Sequence, residues 1–208
     1  MFYLRLNKIR IVKNREFIGK AEIQIMSFIT GGEKNFPSLE KLFDSNDDSE
    51  KKKLLESAIE EVLDSRQLTP VYKIKNRHEL LFGDTGYIVY KSKSIPEDFS
   101  WLLIGVELDK KTRRRATIIK EALKKSDESN LVSKFSKLSN ASNPTMEAVT
   151  EIAKVIAEVM SNDKDDQIGM FLSSFIRVLD YPHGKRDKQG VPDITGNMFI
   201  DYTIFGVQ

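Results

Sequence analysis

Apolar and polar residues alternate at the start of the chain. Phe2, Leu4 and Leu6 alternate with Tyr3, Arg5 and Asn7, and Ile9 and Ile11 continue one residue out of phase. Period two predicts a strand, and the slip at Asn7-Lys8 predicts a bulge. After the polar turn Lys13 to Gly19, Ala21, Ile23, Ile25 and Ile29 form one face of a second strand, expected to pair antiparallel with the first. The period then becomes helical. Leu54, Leu55, Ala58, Ile59, Val62 and Leu63 make one stripe, and a shorter helix is expected around Leu39 to Phe43. Val71 to Ile74, His78 to Phe82 and Tyr87 to Tyr90 read as strands. Trp101 to Leu108 is almost continuously apolar, as in a central strand covered on both faces.

Lys110 to Asn162 reads as wholly helical, with three stripes. The strongest is Met146, Val149, Ile152, Ala153, Ile156, Val159 and Met160, preceded by Asn143 as N-cap and Pro144 at the first helical position. Strand returns at Ile168 to Leu179 and at Met198 to Phe205, with a polar loop from Asp180 to Gly196 between them. Asp201 interrupts the last strand, and Arg177 is its expected partner.

These elements predict an α+β chain: an antiparallel β-sandwich elaborated by a three-helix insertion and a further helix after the second strand. One domain is expected over residues 1–208, with the insertion at about 110–162 and a helical connection at about 38–66. Removing Lys111 to Ser161 is expected to leave a folded β protein.

Joined without the insertion, the flanks read Ile104-Gly-Val-Glu-Leu-Asp109 and Asp163-Lys-Asp-Asp-Gln-Ile-Gly169. This resembles the C2-domain sandwich, at its acid-x-acid pair and its Asp-x-x-Gly. Ile18-Gly-Lys-Ala-Glu-Ile-Gln-Ile25 is similar to the strand after that family's first calcium loop. The resemblance implies Glu107, Asp109 and Asp166 as metal acids, with Asp163 and Asp165 beside them, and calcium as the ion. Calcium takes about six to eight oxygens. The first loop offers Lys13, Asn14, Arg15, Glu16 and Lys20, which are mostly cations.

Composition narrows the functional classes. The net charge of +2 argues against a dedicated nucleic-acid binder. The absence of cysteine excludes disulfides, thiolate zinc sites and cysteine nucleophiles. No apolar run reaches the roughly 20 residues of a membrane helix, and no secretion signal is visible, so a cytoplasmic location is the default expectation. The basic run Lys110, Lys111, Arg113, Arg114 and Arg115 would suit an acidic protein or an anionic lipid surface, at about 1 kcal/mol per cation. His183 lies near Asp180, Asp187 and Asp193, with Ser173, Ser174 and Thr195 as nearby hydroxyls. That grouping suits a general base, but no Gly-x-Ser-x-Gly nucleophile elbow accompanies it.

The expected function is a non-enzymatic binding module. Its partner would be a protein or an anionic surface, met by the strand-end loops and above all by the insertion. The alternatives are a hydrolase using His183 with neighbouring acids, and a calcium-dependent membrane-surface module.

Overall fold

A computed structural model describes residues 1–14, 19–31, 35–108, 115–128, 130–138, 143–161, 167–181 and 184–207. The described residues form two antiparallel five-stranded sheets and six helices. In chain order these are β1 (Phe2–Ile11), β2 (Ala21–Thr30), α1 (Pro37–Asp44), α2 (Asp48–Ser65), β3 (Gln67–Leu68), β4 (Tyr72–Ile74), β5 (His78–Leu81), β6 (Tyr87–Ser92) and β7 (Asp98–Glu107). Then follow α3 (Arg115–Glu128), α4 (Leu131–Leu138), α5 (Pro144–Ser161), β8 (Gln167–Ile176), α6 (Arg177–Asp180), β9 (Gly184–Pro192) and β10 (Met198–Gly206).

The first sheet runs β5-β1-β10-β9, with β6 also on β1. The second runs β3-β2-β7-β8, with β4 also on β2. Thus β1 and β2 lie in different sheets, correcting their expected pairing. The reason is that β1 is flanked by β10 on one side and by β5 and β6 on the other, so no edge of it remains for β2. The bulge falls where the phase slip places it, between Leu6 and Lys8. It keeps Ile9 and Ile11 inside after Phe2, Leu4 and Leu6, all five of them fully buried.

The sheets share one core. β1 and β10 contribute Leu4, Leu6, Ile200 and Ile204, and β2 and β7 face them with Ile23, Ile25, Trp101 and Leu103. Aromatic rings fill the wide end, where Phe99 stacks on Phe175 at 4.8 Å and meets Phe2 edge-on at 5.4 Å.

A second core lies on the opposite face of the second sheet. Met26, Phe28, Leu102, Ile104 and Val106 point there and are covered by the helices. α5 is the keystone, lying on β2, β7 and β8 while α1 to α4 pack around it. Its Ala148, Val149, Ile152, Ala153, Ile156, Ala157 and Val159 are almost fully buried, leaving Glu147, Glu151, Lys154 and Glu158 as a narrow polar stripe. β7 is therefore continuously apolar because it separates two cores. The helices share this second core with the sheet, so removing them would uncover its apolar face.

Local sequence accounts for the helix starts. Asn143 Oδ1 accepts from Met146 N at 3.0 Å, ahead of Pro144. Asp47 accepts from Glu50 N at 2.8 Å to start α2. α1 begins at Pro37 without a side-chain cap; Glu61 of α2 receives Ser38 Oγ at 2.6 Å and ties the two helices together.

Three further differences lie near the C-terminal end. The strand expected to reach Leu179 stops at Ile176. There Asp180 accepts from Ile176 N and Arg177 N donates to Glu97 O, both at 2.8 Å, turning the chain into α6. The expected loop from Asp180 to Gly196 contains β9, which shows no alternation because nearly all its residues are exposed. Asp201 does not meet Arg177. It lies on the outward face of β10, 3.4 Å from Lys8 Nζ, and accepts from Gly190 N at 2.7 Å, while Arg177 pairs with Glu97 at 2.7 Å.

Candidate functional site

Of the acids proposed for a metal, Glu107 ends β7 opposite Ile23. Asp109, Asp163, Asp165 and Asp166 lie outside the described residues. Among the described residues, no three acids or histidines gather into a metal-holding group. Of the basic run, Lys110, Lys111, Arg113 and Arg114 lie outside the described residues, and Arg115 begins α3. Its guanidinium donates to both oxygens of Asp64, at 3.0 and 2.8 Å, and lies 3.5 Å from Glu60. Arg115 thus fastens α3 to α2, and its hydrogen bonds hold the Asp64 carboxyl below its ordinary range.

His183 also lies outside the described residues. The acids near it in sequence are dispersed and engaged. Asp180 caps the end of β8. Asp187 accepts from Lys185 and from the Thr203 hydroxyl, and these bonds depress its carboxyl pKa. Asp193 is buried and accepts four hydrogen bonds, from Met170 N at 2.8 Å, Thr195 Oγ1 at 2.7 Å, Asn197 N at 2.9 Å and Met198 N at 3.0 Å.

The Asp193 loop clasps the two sheets together. Ile194 N donates to Met170 O at 2.9 Å, and Asn197 Nδ2 reaches Ile168 O at 2.7 Å. Gly169 permits this approach, since a Cβ there would stand 2.5 Å from Asp193 Oδ2 and 2.8 Å from Met198 Cγ. The Asp-x-x-Gly spacing drew attention to Gly169. Its described role is to admit the carboxylate of Asp193, on a different loop.

The feature that stands out is β8 itself. It is the outer strand of the second sheet, and its ten residues carry no charge. In an antiparallel ladder alternate residues turn their N–H and C=O away from the neighbour. On β8 these are Met170, Leu172, Ser174 and Ile176, since Met170 bonds outward to the Asp193 loop and Ile176 N to Asp180. Those bonds close the two ends of the edge. Between them, Leu172 and Ser174 present backbone N–H and C=O groups with no partner among the described residues.

Large apolar side chains are exposed along the same edge: Leu172, Ile176, Val178, Leu179 and Ile194, with Val178 at 72% and Leu179 at 75% accessibility. They are five of the ten exposed large hydrophobics among the described residues, and none of the ten lies on α3, α4 or α5. These five lie on β8, α6 and the Asp193 loop. α6 is anchored from beneath by Tyr181, whose hydroxyl donates to Pro96 O at 3.1 Å. Burial, then Asp98, Asp180 and Glu97, raise that phenol's pKa, so it remains a donor at neutral pH.

At its Ile176 end the edge borders a cleft of about 550 Å³ between the start of β7, the ends of β2 and β8 and the starts of α1 and α5. Asp98 and Glu40 supply carboxylates to it, and the hydroxyls of Ser100 and Ser174 bond one another at 2.8 Å.

The sequence does carry a signal for this edge. Gln167 to Ile176 is the one long strand near the C-terminal end without a charge, and Val178-Leu179 extends its apolar content past the strand's end. Strand order decides whether such a run is central or peripheral, and composition does not reveal strand order.

None of the described helices is long and apolar enough to cross a membrane. Comparison with known protein families and with curated proteins gives no match to this chain.

Proposed function

We propose that the chain is a non-enzymatic binding module that docks an extended segment of a protein partner along β8. The observation that carries this reading is the uncharged outer strand, with open backbone groups at Leu172 and Ser174 beside exposed Leu172, Ile176, Val178 and Leu179. Strand addition uses these two features: backbone hydrogen bonds for affinity and alternate side chains for selectivity. Outer strands are normally guarded by charge, shortness or interruption. The other outer strands here are guarded. β9 carries Lys185, Arg186, Asp187 and Lys188, β3 and β4 have two and three residues, and β5 and β6 are broken by a turn.

The same reading takes the fold as a C2-like sandwich. Counting β3 with β4 and β5 with β6 as interrupted strands leaves four strands in each sheet. The helical excursion between β7 and β8 falls where the resemblance places its acid pair and its Asp-x-x-Gly.

Peptide selection tests the docking surface. A random peptide library displayed on phage is selected on the wild-type chain and counter-selected on Leu172→Pro. This proline removes an N–H that faces outward and breaks no bond to β7. Peptides with alternating apolar residues that bind wild type and lose at least about tenfold in affinity for Leu172→Pro are expected, the loss of a backbone bond and its register. Peptides that bind both proteins equally would contradict the reading.

A further inference from the structure

We infer that the segment docked on β8 is acidic: it carries Asp or Glu opposite Ser173, facing the cations Arg186 and Lys188 of β9. The inference rests on the docking reading above and names the chemistry of the occupant.

Strand placement sets β9 over the open lane beside β8. Tyr202 of β10 meets Trp101 of β7 at 5.5 Å, and Phe171 and Phe175 of β8 at 6.2 and 5.8 Å, so β10 lies across from β7 and β8. β9 is the next strand, on the side of β10 away from β1. It therefore lies across from the outer side of β8. The chain leaving β9 follows this course. Directly after Pro192, Asp193 and Ile194 descend into the lane and bond Met170 N and O. They close the lane at Met170, so a docked segment pairs with Leu172 and Ser174 and then turns away.

Register decides which side chains of β9 face the lane. Residues paired across an antiparallel ladder share a face. Arg186 pairs with Ile204 and Lys188 with Tyr202, and both of these partners are buried between the sheets. Arg186 and Lys188 thus sit on the inner face of β9, yet both are exposed. An inner face that overhangs an empty lane accounts for that combination. On the outer face Lys185 pairs with Asp187 at 2.7 Å. Arg186 and Lys188 have no carboxylate partner among the described residues.

The level matches as well. Tyr202 touches Phe171 and Phe175, which flank Ser173 on the inner face of β8, so Lys188 stands level with Ser173. Ser173 pairs with Trp101 and faces the first sheet, whereas Leu172 pairs with Leu102 and faces the helices. A docked residue opposite Ser173 therefore points toward β9, and its two neighbours point toward the helical layer. Packed sheets lie roughly 10 Å apart, a gap that a Lys or Arg and a facing Glu span together. The acids around β8 lie elsewhere. Asp98 and Glu40 line the cleft on the helical side, Glu97 pairs with Arg177, and Asp180 holds Ile176 N. The expected segment places one acid between two uncharged residues.

The peptide selection described above, run on the full chain, tests this. Wild type should enrich Asp or Glu between two uncharged residues. Arg186→Glu combined with Lys188→Glu, both at exposed positions, should melt as wild type does and enrich Lys or Arg there instead. Lys188→Gln, the milder variant, should weaken the acidic preference without reversing it. A selected peptide resynthesised with Gln for its acid should bind wild type about two- to fivefold more weakly at low salt, as expected for an exposed ion pair. That difference should fade at about 1 M salt, where the screening length is about 3 Å. The loss caused by Leu172→Pro should persist there, because it is a loss of backbone bonds.

Peptides that need Leu172 but show no acidic preference overturn the inference and leave the docking surface standing. So do peptides that keep an acidic preference on the charge-reversed chain. A selection that yields no Leu172-dependent peptide removes the docking surface and the inference together.

Discussion

A chain lacking residues 111–161, its flanks joined by a short linker, will not fold into a free-standing β protein. Circular dichroism and thermal melting should find no cooperative transition, and most of the protein should be insoluble. The reason is the second core. Removing α3 to α5 uncovers Met26, Phe28, Leu102, Ile104 and Val106, all at 1% accessibility or less. Each such side chain returned to water costs roughly 1.5–3 kcal/mol, about 7–15 kcal/mol for the five. A domain of this kind has only about 5–15 kcal/mol of total stability. α1 and α2 would not compensate, because Leu39, Leu42, Ile59 and Val62 belong to the same cluster as α5 and would lose their own support. A less drastic version of the claim is Ile152→Asp, which places a carboxylate at a fully buried position of α5 and should also prevent folding. A deletion variant that melts cooperatively with a β-sheet spectrum would show that the sheets need no helical layer.

Asp193→Ala should destabilise the protein by about 3–5 kcal/mol in denaturant unfolding, since charge-assisted hydrogen bonds contribute about 1.5–3 kcal/mol each and water can replace only the outermost. The carboxylate accepts from two backbone groups of its own loop, from the Thr195 hydroxyl and from Met170 on the other sheet. Asp193→Asn should cost less but still measurably, because its amide turns donors toward groups that are already donors. Gly169→Ala forces a methyl to within 2.5 Å of the same carboxylate oxygen and should be comparably harmful. The two sites are in contact, so they should not be additive. In the Asp193→Ala background the oxygen is gone, and Gly169→Ala should cost less than it does alone. Additive losses would mean that Gly169 is needed for another reason, with Met198 the nearest alternative.

Much of the secondary structure could be read from residue patterns, because burial imposes a period on each element. The bulge at Asn7-Lys8, the Asn143-Pro144 helix start and the two-sided apolar character of Trp101 to Leu108 all follow from local rules that the fold obeys. What escaped was set by neighbours distant in sequence. β1 and β2 look like a hairpin because they are adjacent and alternate, yet β10, about 190 residues from β1, takes the place beside it. β9 shows no strand pattern because nearly all of it faces water, and backbone pairing with β10 alone makes it a strand. Asp201 interrupts an apolar run, which suggests burial and a partner such as Arg177, yet it lies on the outer surface of the first sheet, where Phe199 lies under Arg10 and Phe205 stacks on Tyr3.

The candidate site was legible in a similar, partial way. The lack of charge in β8 and the apolar pair Val178-Leu179 are visible in the residues. That β8 is an outer strand, and that Asp193 and Asp180 close its ends while leaving Leu172 and Ser174 open, depends on strand order and on two carboxylates from other segments. Of the metal acids and the basic run, all but two fall outside the described residues: Glu107 lies at a strand end and Arg115 forms an ion pair between helices. Asp180, Asp187 and Asp193, grouped with His183 in sequence, are each held by separate hydrogen bonds.

Site-resolved amide hydrogen exchange along β8 tests the account most directly. In dilute solution the amides of Leu172 and Ser174 should exchange far faster than those of Phe171, Ser173 and Phe175, which face β7, and than Met170, which Asp193 holds. Protection of Leu172 and Ser174 already in the dilute monomer would mean the edge is closed.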